Sequence, residues 1–487
     1  MKKLLEAYKE LPIQVKASIV FLLCSFLQRG VNFITTPIFT RILTTTEYGQ
    51  YTVFNSWLQI ITPIVSLNLW SGVYSQGVVK FDKDKSVYSS SLQGLSLFLI
   101  SLWLIIYITF RNQFNSFFAV NTIQMIAMFI IIWSSGSFHF WSVEQRVDFK
   151  YKKLAFLTVV VSIVQPLICI FLIVYSTNKV TARILGIAIV QLIFYLGTFT
   201  SQIKKGKKLF SKRYWIYALR FNIPLLPHYL SLVILSSSDR IMISNMVSNE
   251  KAGIYNLAYS ISMIMTMFNT ALQQTIEPWM FKKLKSNKIE EIKKVAYPCF
   301  LLVAFVNLLL ILLAPEVISI FAPADYYEAV WVIPSVALSV FFMFLYSFFA
   351  SFEFYYEKTH YVTLATVGGA LLNVVLNYVC IKKFGYLAAG YTTLFSYILY
   401  AILHYIFMRK ICKIFLNNTQ PYNAFFIFII GIGILIIGIG CTLLYKYPFI
   451  RYIILLSIIV LCYIFRRFLL KLIKLFTNIK MEKNKEN

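Results

Sequence analysis

The chain has 487 residues, of which 59% are hydrophobic, 17% aromatic and only 13% charged. Soluble domains carry roughly 45–50% apolar and about 25% charged residues, so this balance, with a mean hydropathy of +0.72, excludes a soluble globular protein and predicts an all-α polytopic membrane protein. The basic excess, 46 Lys and Arg against 19 Asp and Glu, does not predict a nucleic-acid partner. The charges fall in short clusters between apolar runs, which is the pattern of cytoplasmic loops.

The chain opens MKKLLEAYKELPIQVKAS, a short basic amphipathic lead-in. The apolar run behind it is interrupted by Arg29 and has no small-residue cleavage site, so a cleaved signal peptide is not expected. Fourteen apolar runs follow, at 15–41, 48–73, 87–110, 117–142, 154–175, 182–203, 214–244, 252–281, 295–316, 329–353, 361–381, 384–408, 423–445 and 449–465. Each is expected to be long enough to cross a hydrocarbon core of about 30 Å as a helix. They lack two-residue alternation, which excludes barrel strands.

With the N-terminus inside, the inner segments hold 34 Lys and Arg, the outer loops nine, and Arg29, Arg220 and Arg240 lie within runs. A bias that persists loop after loop predicts fourteen helices with both termini cytoplasmic, in the cytoplasmic membrane. The richest inner clusters, KKGKKLFSKR and KKLKSNKIEEIKK, are suited to anionic membrane lipid. Seven cysteines lie in apolar segments without CxxC spacing or a His partner, so neither metal nor cofactor is predicted.

A weak repeat links the two halves. Run 1 ends TRIL and run 2 opens EYGQY; run 7 ends DRIM and run 8 opens KAGIY. The spacing predicts pseudo-symmetric six-helix bundles at 1–210 and 211–411, with helices 13–14 and a basic tail at 412–487. Repeated halves place a substrate site at their interface.

At 100° per residue, Ser25, Arg29, Asn32, Thr36 and Thr40 share one face of run 1. Tyr48, Thr52, Asn55, Gln59, Thr62, Ser66 and Trp70 do so in run 2, and Tyr259, Ser262, Thr266, Asn269, Gln273 and Glu277 in run 8. Treated as a straight helix, run 7 carries Arg220, His228, Ser231 and Asp239 on one arc, with Pro224 and Pro227 permitting a bend and a gate. These stripes predict a water-filled cavity. Mid-span Arg29 costs at least about 2.5–3.5 kcal/mol to insert and needs a cavity or partner. Aligning Arg41 with Arg240 sets His228 opposite Arg29. A cavity of cations and hydrogen-bonding groups suits an anionic, hydroxyl-rich substrate, because a guanidinium matches phosphate geometry.

The segments TPIFTRILTTTEYGQY, SSSDRIMISNMVSNEKAGIYNLAYSI and KKFGYLAAGYTTLFSY resemble the polysaccharide-biosynthesis flippases of the multidrug/oligosaccharidyl-lipid/polysaccharide exporter superfamily. The resemblance runs from about residue 12 to 410. It implies a V-shaped pair of six-helix bundles that moves undecaprenyl-diphosphate-linked oligosaccharides outward for O-antigen, capsule or exopolysaccharide assembly. A polymerase and glycosyltransferases are the implied partners. On this reading Arg29, His228, Arg41, Arg240 and Arg220 meet the diphosphate. Asn32, Thr36, Asn55, Gln59, Trp70, Tyr259, Asn269 and Gln273 line the cavity, and Asp239 and Glu277 couple or gate.

Two other readings compete. A drug or peptidoglycan-precursor exporter shares the architecture, but drug exporters tend to use membrane carboxylates for organic cations. A membrane polymerase or ligase usually carries a long external loop with Arg and His, and the longest outer loop here has about a dozen residues. No Ser-His-Asp, HExxH or paired-carboxylate motif appears, so an enzyme is not expected.

Overall fold

The computed structural model describes residues 12–464 and Arg466. The basic lead-in up to Leu11 and the tail beyond Arg466 lie outside the described residues. Within them the chain is helical, with no β-strand.

The first helices are α1 (Ile13–Ile42), α2 (Thr45–Ser66), the short α3 (Val73–Lys80), α4 (Lys85–Thr109), α5 (Arg111–Phe118), α6 (Thr122–Val147), α7 (Tyr151–Val174) and α8 (Lys179–Gly206). Local chemistry sets their ends. The Glu47 amide donates to the Thr44 hydroxyl and the Glu47 carboxylate accepts from the Thr44 amide, a capping box that starts α2. Asn121 and Gln124 form the same device at α6. The Asn178 side chain accepts from the Thr181 amide at α8. At the far end of α2, Leu67 and Asn68 both take left-handed φ values of 50°, and the Asn222 amide secures their carbonyls at 2.9 and 3.1 Å.

Next come α9 (Lys212–Asn222) and α10 (Leu226–Met246), inclined by 52° across a short break. Pro224 lies in the break and Pro227 in the first turn of α10, so the bend expected from the prolines is present. Then follow α11 (Asn249–Ser262), α12 (Ile264–Lys285), α13 (Ile289–Leu312), α14 (Ala314–Phe321), α15 (Ile333–Tyr355), α16 (Thr359–Phe384), α17 (Ala388–Phe415), α18 (Ala424–Leu443) and α19 (Pro448–Ile464).

Each of the fourteen apolar runs lies mainly on helix among the described residues, but nine helices there are long and apolar enough to span a bilayer, or ten when α9 and α10 count as one. The others fall short for identifiable reasons. Polar faces dilute α2 and α11–α12, hydroxyls and terminal basic residues dilute α17, and α19 has only 17 residues.

The chain forms two compact units, residues 1–253 and 254–487. In the first, α8 packs against α4, α6 and α7, α1 against α7, and α10 along α2. Phe54, Met125, Met128, Ile132 and Ile184 fill one core; Leu69, Tyr74, Tyr88, Leu92 and Phe140 fill another. In the second, α15 is the central helix, in contact with α13, α16 and α17; Phe341, Phe344, Phe349 and Phe352 on it are fully buried. The outer helices are apolar where they meet no protein: Leu23 and Ile34 on α1 and Phe425 and Ile436 on α18 are exposed. Such surfaces are at rest only against lipid tails, which are as apolar as they are.

Candidate functional site

The cations of the first unit occupy three different settings. Arg29 is exposed on α1 beside exposed Asn32, and a Cβ added to the adjacent Gly30 would have nothing within 4 Å of it. Arg41, also exposed, donates from Nη1 to the Pro37 carbonyl at 2.8 Å. Arg240 is buried and donates to the Ser236 carbonyl, and its neighbour Asp239 is fully buried. His228 is half-buried on α10, and among the described residues its Nδ1 has no hydrogen-bond partner. Arg220 is exposed at the end of α9. Because of the 52° break, it does not share one continuous arc with His228, Ser231 and Asp239, and the straight-helix expectation for run 7 is corrected.

The stripe of run 2 serves packing as well as any cavity. Thr52, Thr62 and Ser66 donate to carbonyls of their own helix at 2.8, 2.6 and 2.6 Å, and Thr52 and Ser66 are buried. Exposed Gln59 accepts from Ser237 of α10 at 3.3 Å, so the stripe of run 2 meets the polar face of run 7. Asn55 is half-buried. Trp70 lies beyond the left-handed end of α2 and therefore leaves the stripe; it stacks on His139 at 5.5 Å. On α1, Thr36 donates to the Asn32 carbonyl at 2.8 Å.

In the second unit Tyr259 is buried beside Tyr255. Asn269 is turned into the packing, where its amide donates to the Val340 carbonyl at 3.2 Å. Gln273 and Glu277 are half-buried. The helix break at Met263 divides the stripe of run 8 between α11 and α12.

Sequence reasoning missed the settings of three ionisable side chains. Arg183 on α8 lies 3.9 Å above the Phe39 ring and 3.5 Å above that of Tyr51. Glu353 of α15 and His404 of α17 are 2.7 Å apart, with 0 and 1% of each side chain exposed. The signal available was an ionisable residue inside an apolar run. Among the described residues no group of three His, Cys, Asp or Glu is placed to hold a metal.

A bundle of apolar helices with polar faces turned to one another has the architecture of a multi-pass membrane transporter. The family described as polysaccharide biosynthesis protein matches residues 15–284, and the MatE family matches 224–379. The chain belongs to the polysaccharide biosynthesis protein family, the flippase branch of the multidrug/oligosaccharidyl-lipid/polysaccharide exporter superfamily. Protein 1 of the Lsg locus of Haemophilus influenzae is 23% identical over 386 residues, 74% of this chain and 89% of that protein. The probable low-salt glycan biosynthesis flippase Agl15 of Haloferax volcanii is 21% identical over 418 residues, 83% and 85% of the two chains. The fold is similar to that of the lipid II flippase MurJ, a structure solved in an inward closed conformation, with a TM-score of 0.65, 15% identity, and coverage of 90% of this chain and 100% of that one.

Proposed function

We propose that the chain carries undecaprenyl-diphosphate-linked oligosaccharide repeat units from the inner to the outer face of the cytoplasmic membrane by alternating access, without catalysing a covalent step. The polysaccharide made from them is an O-antigen, capsule or exopolysaccharide, with glycosyltransferases upstream and a polymerase downstream. On this reading fourteen helices cross the bilayer with both termini cytoplasmic. The working division is 1–210 and 211–411 for the two bundles and 412–487 for the remainder.

The observation that carries the proposal is Arg29. It is an exposed cation near the middle of α1 on a face shared with Asn32, in a family of polysaccharide biosynthesis proteins. A guanidinium at that depth needs an anion, and a diphosphate supplies one in bidentate geometry. His228, Arg41, Arg240 and Arg220 then form a graded path, weak enough at each step for release. Asn32, Thr36, Asn55, Gln59 and Gln273 offer hydroxyl and amide partners to the sugars. Asp239 and Glu277 are the coupling groups and Pro224–Pro227 the hinge.

Deletion of the gene tests the proposal in cells. Surface polysaccharide should vanish while lipid-linked repeat units accumulate at the inner face, and the wild-type chain should restore export. Unchanged polysaccharide after deletion contradicts it. Reporter fusions at residue 206 should read cytoplasmic and at residue 323 external.

A further inference from the structure

A cavity of about 460 Å³ opens within the first unit, between the start of α2, the α5–α6 corner, the start of α8 and the α10–α11 turn. Its walls contain no charged side chain. They carry five carboxamides instead: Gln50, Asn121, Gln124, Asn245 and Asn249, with the Ser244 hydroxyl among them.

Part of this polar set holds the cavity in shape. The Asn121–Gln124 capping box fixes the corner, the Gln124 amide donates to the Thr181 hydroxyl at 3.0 Å, and Ser244 donates to Asn249 Oδ1 at 2.6 Å. The remainder is available. The exposed carboxamides of Gln50 and Asn245 make no such bond among the described residues, and the Asn249 amide nitrogen stands beside them. Phe54 and Phe118 add apolar ring surface, and Trp57 braces Phe118 edge-on at 4.8 Å.

A carboxamide both donates and accepts, so it can match neighbouring hydroxyls that do the same. A ring face suits the C–H side of a pyranose. A phosphate finds no cation in this cavity, whereas Arg29 and the other cations offer it one elsewhere. The volume is that of an ordinary small-ligand pocket. We propose that this cavity is a glycan-binding site that takes uncharged sugar residues of the carried oligosaccharide, separately from the diphosphate. The proposal rests on the flippase reading, whose charge count sets this end of the bundle toward the outer face. Its walls belong to both the α5–α6 corner and the α10–α11 turn, so a bound sugar ties these two segments together.

The probe is the repeat-unit oligosaccharide released from the cells' own polysaccharide and freed of lipid and phosphate. Added to the purified full-length protein, it should give a saturable change in tryptophan fluorescence that a Trp57→Phe variant loses. The double variant Gln50→Ala/Asn245→Ala should weaken the affinity about tenfold or more, on two lost hydrogen bonds, with an unchanged melting temperature. Inorganic diphosphate should not compete with the oligosaccharide, and displacement of the oligosaccharide by it overturns the site. Wild-type affinity in the double variant, or no saturable binding to the wild-type protein, overturns the site. Either result in cells whose polysaccharide export still depends on the gene leaves the flippase reading standing. Export that does not depend on the gene overturns that reading first.

Discussion

Gly49 and Gly253 meet backbone to backbone where the starts of α2 and α11 cross. A Cβ on Gly49 would stand 1.7 Å from the Asn249 carbonyl oxygen, and one on Gly253 would stand 2.6 Å from that of Thr45. These are the two glycines of the repeated Gly-x-Tyr motif. The repeat is therefore a contact: each copy supplies the small residue that lets the other approach.

Alanine at either position should force the crossing apart, because the obstruction is backbone and cannot rotate away. Overpacking of this kind costs about 1–3 kcal/mol. Gly49→Ala should lower the melting temperature of the purified protein in detergent, and Gly253→Ala should do the same. Gly30→Ala, with open space around its Cβ, is the control and should melt no lower than wild type.

The buried Glu353–His404 contact makes a different prediction. Removing one partner strands the other away from water, at about 3–5 kcal/mol. Glu353→Leu and His404→Phe should each destabilise strongly, and the double variant should recover much of the loss. Additive losses in a double-mutant cycle of thermal stability would show that the two groups do not act as a pair.

Arg183 is held by rings. Loss of its contacts with Phe39 and Tyr51 should cost about 2 kcal/mol in Arg183→Ala, and Arg183→Lys should retain part of that, because charge survives while planar stacking does not. Thermal melting in the same detergent compares the three proteins.

Asp148, in the turn between α6 and α7, receives Lys85 and Lys150, the latter at 2.8 Å. Burial pushes its carboxyl upward, but hydrogen bonds from both lysines and their charges outweigh that and hold it below the ordinary value of 3.8. A carboxyl depressed in the folded state stabilises the fold above its unfolded value, and that contribution disappears as pH falls through the folded one. The melting-temperature gap between wild type and Asp148→Asn should be full at pH 7 and pH 5 and should shrink below about pH 4. A gap independent of pH down to about pH 3 would contradict the assignment.

The sequence announced the helices because each apolar run is long and continuous. It also announced the break at Pro224–Pro227, since proline removes a donor and leaves an identifiable mark. The end of α2 was not legible: Leu67 and Asn68 turn left-handed where Asn222, some 150 positions along, holds their carbonyls. The polar stripes were legible as faces but not in their use. Hydroxyls such as Thr62 and Ser66 can satisfy their own helix, and only packing decides whether such a face meets water or a neighbour. The capping box explains part of the TTTEYG signature, in which Glu47 acts through the Thr44 amide. Glu353 and His404 stayed hidden because 51 residues separate them and neither carries a motif.

The central claim is transport of a lipid-linked diphosphate sugar past Arg29. It is tested most directly by reconstituting the full chain in liposomes whose inner leaflet carries a fluorescent undecaprenyl-diphosphate oligosaccharide from the same cells. A membrane-impermeant quencher outside reads arrival in the outer leaflet. Wild-type protein should speed quenching well beyond protein-free vesicles, Arg29→Ala should return it to that background, and Arg29→Lys should fall between. Quenching by wild type at the protein-free rate, or by Arg29→Ala at the wild-type rate, would contradict the account.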